Sequence, residues 1–209
     1  MSETFDFKDG NGPVPAHQHN NGGGWIADTV TIDEPAYIGK NAQVYGNAQV
    51  SGDARVYGNA QVSGDAWVFG NARVFGNARV YGNAQVSGDA WVYGNARVFG
   101  DAWVFGNARV FGDAWVFGNA RVFGNARVYG NAQVSGDAQV KKTPIVISGM
   151  TWSITITDKH IRVGCEMHSL DEWRAFSDEE IAMMDTDAPD FYPTLMMLLD
   201  AIFGDGDHD

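Results

Sequence analysis

Four side chains near the C-terminal third have types that nucleophilic or metal chemistry uses: His160, Cys165, Glu166 and His168. A thiol beside an imidazole can attack a carbonyl. That chemistry also needs a group to orient the base and donors for an oxyanion, and the sequence places neither. A zinc site asks for four ligands at a recognisable spacing, which these residues do not provide. His17 and His19, in DGNGPVPAHQHNNGGG, are a second pair of potential metal ligands. Two histidines without further ligands define no site, and the stretch reads as a polar arm. No catalytic residue, metal site or cofactor is assigned.

A larger group of residues suits binding rather than catalysis, and a repeat positions them. From Val44 to Val140 a valine recurs at every sixth position, with alanine two residues before it. Glycine follows two residues after each valine as far as Val134, and then Asn or Asp. The unit is [ND]-A-x-V-[YFS]-G, and Ile26, Ile32 and Ile38 hold the same register upstream, giving about twenty hexads. A short fixed period means a solenoid. Alternation along a strand sends Ala and Val to the same side, inward. Gly followed by Asn or Asp supplies residues that tolerate positive φ at a corner. Three hexads make an 18-residue triangular coil, and six to seven coils rising roughly 4.8 Å each make a prism on the order of 30 Å long.

This repeat resembles the left-handed parallel β-helix of hexapeptide-repeat proteins, in which an aliphatic residue follows a small one by two positions. The resemblance implies the fold and its handedness. Many members of that family are acyltransferases that use acetyl-CoA or an acyl carrier, with a catalytic histidine and a loop protruding between coils. Others resemble γ-class carbonic anhydrase, with three zinc-binding histidines from the coils. Residues 26–145 contain no histidine and no insertion that breaks the register. The flanking stretches GGGWIADTVTIDEPAYIGKNAQVYGNAQVSG and HIRVGCEMHSLDEWRAFSDEEIAMMD are similar to hexapeptide-repeat proteins encoded by phages and prophages, which implies a role in the cytoplasm of a bacterial host.

The outward positions flank each valine. Sorting them by 18 separates three faces. One carries Tyr57, Phe75, Tyr93, Phe111 and Tyr129, an aromatic in every coil, beside Arg55, Arg73, Trp91, Arg109 and Arg127. Trp103, Phe105, Trp115, Phe117 and Phe123 fall on neighbouring faces, where Ser51, Ser63, Ser87 and Ser135 interrupt the aromatic rows. Stacking between coils accounts for part of this pattern. Tyr, Trp, Phe and Arg are also the residues enriched at interface hot spots, and a contiguous ridge of them exceeds what isolated monomers usually expose. The expectation is self-association into a homo-oligomer, with a host protein or signal molecule as the other class of partner.

Charge narrows the partners. The net charge is −12, and it divides as −2 over residues 1–25, +1 over 26–145 and −11 over 146–209. A balanced solenoid lacks the basic footprint of a nucleic-acid binder. Asp53, Asp65, Asp89, Asp101, Asp113 and Asp137, scattered among Asn along the chain, do not form the rows that carboxylate mimicry of DNA would need. The apolar run Leu195 to Leu199 is too short to span a bilayer. MSETFDFKDG has neither the basic nor the apolar region of a secretory signal, and the lone Cys165 allows no intrachain disulfide.

Three parts are expected: a flexible arm over 1–25, a left-handed β-helix over 26–143, and an acidic α+β cap over 144–209. In the cap, PIVIS, TWSITI and HIRVGC read as three strands. Ser169 and Asp171 open one helix, Ser177-x-x-Glu180 is a capping box for a second over 178–185, and Pro193 sits early in a third running to about Phe203. The sequence therefore describes a non-enzymatic binding and assembly protein. The alternative is a hexapeptide-class acyltransferase using His160 or His168 of the cap at a subunit boundary.

Overall fold

The computed structural model describes residues 3–204. Two-residue strands, each an outward residue followed by its valine or isoleucine, recur along the chain and build three parallel walls. Within a wall each strand pairs with the strand 18 residues on, as Arg55 does with Arg73 and Val56 with Val74. The first wall runs from Trp25–Ala27 through Gln43, Gln61, Arg79, Arg97 and Trp115 to Gln133–Val134. The second runs from Thr31–Ile32 to Gln139–Val140, and the third from Tyr37–Ile38 to Arg127–Val128. The chain is thus a parallel β-solenoid of roughly six turns, as the six strands of the third wall show.

Alanine and valine fill the shaft. Every Ala from Ala42 to Ala138 and every Val from Val44 to Val140 is at most 1% exposed. Valine's β-branch suits the strand and alanine's methyl group fits where the walls converge. The corners depend on glycine for two reasons. Gly46 has φ 72°, and a Cβ added there would lie 2.8 Å from the Gly64 amide nitrogen in the next coil. Any side chain would be strained by the backbone and would also push the coils apart.

The residues after these glycines are also ordered. Down one corner they alternate strictly: Asn47, Asp65, Asn83, Asp101, Asn119, Asp137. Asn47 donates to Asp65 at 3.2 Å, Asn83 to Asp101 at 2.8 Å and Asn119 to Asp137 at 2.9 Å. Another corner forms the chain Asn59 to Asn77 to Asn95 to Asp113. The carboxylates that look irregular along the chain are regular down the corners, and none lies directly over another. Like charges at coil spacing would repel, whereas a carboxamide above a carboxylate donates to it.

The N-terminal stretch departs from the expected flexible arm. Thr4–Phe5 pairs antiparallel with Val14–Gln18, which pairs antiparallel with Trp25–Ala27 at the top of the first wall. Phe7 and Ala16 are buried against Ala27. This hairpin lacks the hydrophobic period of a longer strand, so its order comes from docking on the solenoid edge.

The C-terminal cap holds a four-stranded antiparallel sheet, Ile145–Ile147, Ile154–Ile156, Ile161–Val163 and Glu166–His168. The fourth strand is one more than expected. Helices α1 (Leu170–Ala175), α2 (Asp178–Met184) and α3 (Ala188–Phe203) follow. Capping boxes open α1 at Ser169 with Glu172 and α2 at Ser177 with Glu180. Helix α3 starts earlier than its proline suggested: Pro189 occupies the first turn and Pro193 lies inside the helix. Of its apolar residues, Leu195 and Leu199 pack with Phe191, Trp173 and the strand isoleucines, while Ile202 and Phe203 face solvent. Residues 205–209, with three of the carboxylates assigned to the cap, lie outside the described residues.

The cap also completes the hydrogen bonding of the last coil. Each coil's amides donate downward, as Tyr57 N does to Val74 O at 3.0 Å, so the last coil needs acceptors from elsewhere. Thr143 Oγ1 accepts from Arg127 N, Thr155 Oγ1 from Gln133 N, and Asp158 Oδ2 from Lys141 N at 2.9 Å.

Val92→Asp is expected to destabilise the chain by more than about 4 kcal/mol, because an unpaired carboxylate would enter an apolar shaft. Urea unfolding followed by circular dichroism measures it. Asn71→Asp, which would set three carboxylates (53, 71, 89) in one column, is expected to cost on the order of 1 kcal/mol at pH 7. The cost comes from like-charge repulsion, so it should shrink in acid, where the column loses its charge.

Candidate functional site

The outward positions fall on the three walls. Tyr57, Phe75, Tyr93, Phe111 and Tyr129 share the third wall as a single stack, with centroid separations of 4.8, 4.8, 4.9 and 5.5 Å. The first three pairs are parallel within 3°. Strand pairing dictates this: side chains in register at coil spacing either stack or splay, and flat rings stack.

Beside this stack, Trp91 is held between two guanidiniums. Arg73 lies 5.1 Å and Arg109 4.7 Å from its ring centroid. Arg73, Trp91 and Arg109 are consecutive members of one ladder, so the tryptophan separates two positive charges that would otherwise be adjacent. Trp103 and Phe105 lie on the second wall, where Arg121 covers Trp103 at 5.1 Å. Trp115 and Phe117 lie on the first wall, where Arg97 covers Trp115 at 4.9 Å. The fold thus unites the ladder of Tyr57, Phe75, Tyr93, Phe111 and Tyr129 with Arg73, Trp91 and Arg109 on one wall and divides Trp103, Phe105, Trp115 and Phe117 between the other two.

Stacking half-buries most of the rings. The tryptophans outside the stacks remain open: Trp67 is 44% exposed, Trp103 39% and Trp115 36%. Tyr129, last in its stack, is 43% exposed.

The first wall shows a pattern that the sequence did not reveal. Its row extends at both ends into other parts of the chain. Phe7 of the N-terminal hairpin stacks on Tyr45 at 4.8 Å. Tyr81, Phe99 and Phe117 form a continuous stack at 4.9 and 5.0 Å. Below Phe117 the repeat supplies Ser135 in place of a ring, and the cap fills that position. Arg162 Nη1 donates to Ser135 Oγ at 2.7 Å, with its guanidinium 5.5 Å from the Phe117 centroid, and Ser135 Oγ donates to Met167 Sδ at 3.7 Å. Burial lowers the pKa of Arg162, while Cys165 and Glu166 oppose the shift. The only sequence signal for this contact was serine where neighbouring coils carry an aromatic ring.

The residues with nucleophilic or metal-binding types are also placed. Cys165 is exposed and its thiol lies 3.7 Å from Glu166 Oε1, while His168 Nε2 lies 3.3 Å from Glu166 Oε2. The carboxylate therefore stands between thiol and imidazole. The His168 ring is wedged edge-on against Trp173 and Phe176. The His160 amide donates to Thr157 Oγ1. In the hairpin, His17 Nδ1 lies 2.7 Å from Asp28 Oδ1, and His19 Nδ1 lies 3.2 Å from the Asn21 carbonyl oxygen.

A family model described as the YdcK beta solenoid repeat matches residues 48–64, 66–82, 72–88, 90–104, 114–130, 120–136 and 126–141. The chain is a β-solenoid repeat protein related to that family. All of the matched segments lie in the solenoid, and none covers the hairpin or the helical cap. No curated protein matches the chain. Among the described residues no helix is long and apolar enough to cross a membrane.

Tyr93→Ser is expected to lower stability by about 1–3 kcal/mol, because it removes the stacks with Phe75 and Phe111 and the edge contact with Trp91. The solenoid should remain folded, since serine already stands at the same hexad position on the other two walls, as at Ser63 and Ser87. Urea unfolding midpoints check the cost.

Proposed function

We propose that this is a non-enzymatic binding and assembly protein that self-associates through the outward aromatic and arginine positions of its solenoid. The observation that carries this reading is the exposure of Trp67, Trp103 and Trp115. The repeat uses Gln at equivalent positions of the same walls, at Gln49, Gln85 and Gln133, so the fold does not require tryptophan there. Large exposed aromatics, two of them covered by a guanidinium (Trp103 by Arg121, Trp115 by Arg97), fit the chemistry of interface anchors. A closed symmetric assembly would cover the same ridges in every copy. The third wall offers its unbroken stack as one contact surface, and the tryptophans of the other two walls offer further ones. The acidic caps would then lie apart or at one end.

The hexad is the unit of this scaffold in the proposal, and its coils are left-handed, as the resemblance to hexapeptide-repeat proteins implies. Residues 26–143 serve as the binding body and 144–209 as its cap. The setting is a phage or prophage product in the bacterial cytoplasm, where a host protein is the alternative occupant of the same surface. The absence of histidine from residues 26–145 supports a role without acyl transfer in the coils.

The test is the mass of the protein in solution. Wild type at tens of micromolar should scatter light as a multiple of the 22.7 kDa chain, and Trp67→Gln/Trp103→Gln should lower that mass with an unchanged unfolding midpoint. A wild type that is monomeric at that concentration overturns self-association. Acetyl-CoA turnover that disappears in His168→Ala overturns the non-enzymatic reading.

A further inference from the structure

The aromatic row of the first wall carries one further interruption. It runs Phe7, Tyr45, Ser63, Tyr81, Phe99, Phe117 and then Ser135. At Ser135 the cap supplies a flat guanidinium, bound to the serine hydroxyl and placed over the next ring. At Ser63 none of the described residues supplies such a group. Instead there is a recess of about 200 Å³ lined by Tyr45, Gln61, Ser63, Arg79, Tyr81 and Arg97. Neighbouring rings in this wall stack at 4.9 to 5.0 Å. Two coils therefore separate the Tyr45 and Tyr81 rings by about 10 Å, enough for one flat ring at the spacing the row already uses.

The electrostatics select the ligand's charge. Arg79 and Arg97 are paired in register on adjacent coils and both line the recess, with the Arg97 guanidinium also lying over Trp115 on the side away from Arg79. Neither makes an ion pair among the described residues, and no carboxylate lines the recess. The comparable pair on the third wall, Arg55 and Arg73, is different, because Asp53 and Asp89 line the same groove. On the second wall Ser87 also interrupts a row, between Phe69 and Phe105. Its outward neighbours in the ladder, Trp67, Gln85 and Trp103, bring no positive charge. Among the described residues the Ser63 position alone combines a one-ring gap, two guanidiniums without an ion pair, a hydroxyl and a carboxamide.

We propose that the notch at Ser63 binds a small planar aromatic anion: a single ring system carrying a carboxylate or phosphate, stacked between Tyr45 and Tyr81 with its acid group on Arg79 and Arg97. The Ser63 hydroxyl and the Gln61 carboxamide set the depth of the ring, as Ser135 does for Arg162 below. The notch lies on the first wall, as Trp115 does, so ligand binding and self-association are measured independently.

The test uses calorimetric titration of the full chain with two probes, 4-hydroxybenzoate for the carboxylate class and adenosine 5′-monophosphate for the phosphate class. At least one should bind saturably at one site per chain. Phenol, adenosine or inorganic phosphate, each lacking the ring or the anion, should bind at least about tenfold more weakly. Ser63→Phe, which completes the row with a residue the repeat already uses, should abolish binding with an unfolding midpoint at or above wild type. Arg79→Gln should weaken binding at least about tenfold, and Ser87→Phe should leave it unchanged. Absence of saturable binding by both probes up to about 10 mM overturns the proposal. So does binding that survives Ser63→Phe or Arg79→Gln undiminished. The mass of the particle is measured on the same samples, so loss of ligand binding and loss of self-association are read separately.

Discussion

The hydrogen bond from one coil to the next, made at an offset that places residue i over residue i + 18, governs the rest of this molecule. Tyr57 N to Val74 O and Asn59 N to Gly76 O are two of the set. Individually each contributes little net stability, but together they remove all choice of register. Whatever a coil carries must lie directly on the same position of its neighbours. Valine on valine fills the shaft, ring on ring forms a stack, and a charge meets a like charge unless the sequence separates them. The Asn–Asp columns and the tryptophan between Arg73 and Arg109 are two solutions to that constraint.

The same directionality makes the two ends different. Amides point toward the cap and need acceptors there, which Thr143, Thr155 and Asp158 provide through side chains. The upper end is closed on its first wall by an antiparallel hairpin. Open strand edges invite pairing with other chains, and both devices discourage end-to-end growth. Association is thereby directed to the walls, where Trp67, Trp103 and Trp115 project.

The solenoid was legible because its signal is redundant: one misread hexad changes nothing when its neighbours repeat it. The aromatic ladder was legible once the sequence was sorted by 18. The hairpin was not. Phe5 and Phe7 flank a single residue in a polar stretch, and their order depends on Trp25 and Tyr45, distant in sequence. The carboxylate columns were present in the sequence but hidden by reading the chain linearly. In the cap, the boxes at Ser169 and Ser177 were local and readable in the sequence. Glu166–His168 was too short to signal a strand apart from its partner Ile161–Val163. The contact of Arg162 with Ser135 joins two parts of the chain and had no local signature.

Coil register also limits how such a gene can change length. Repeats this similar are prone to unequal recombination, which adds or deletes hexads. A gain or loss of 18 residues leaves every wall intact and only lengthens or shortens the prism. A change of six or twelve residues keeps the shaft, since every hexad offers the same Ala and Val. It rotates everything downstream by one or two walls. Aromatic rows would then be broken across walls, and the strict Asn–Asp alternation of one corner would continue into a column with a different order. The cap and the coil that presents Ser135 to Arg162 would turn together, keeping that contact. The interior tolerates three times as many lengths as the surface does: any whole number of hexads fills the shaft, whereas the aromatic rows and the Asn–Asp columns stay unbroken only for steps of 18 residues.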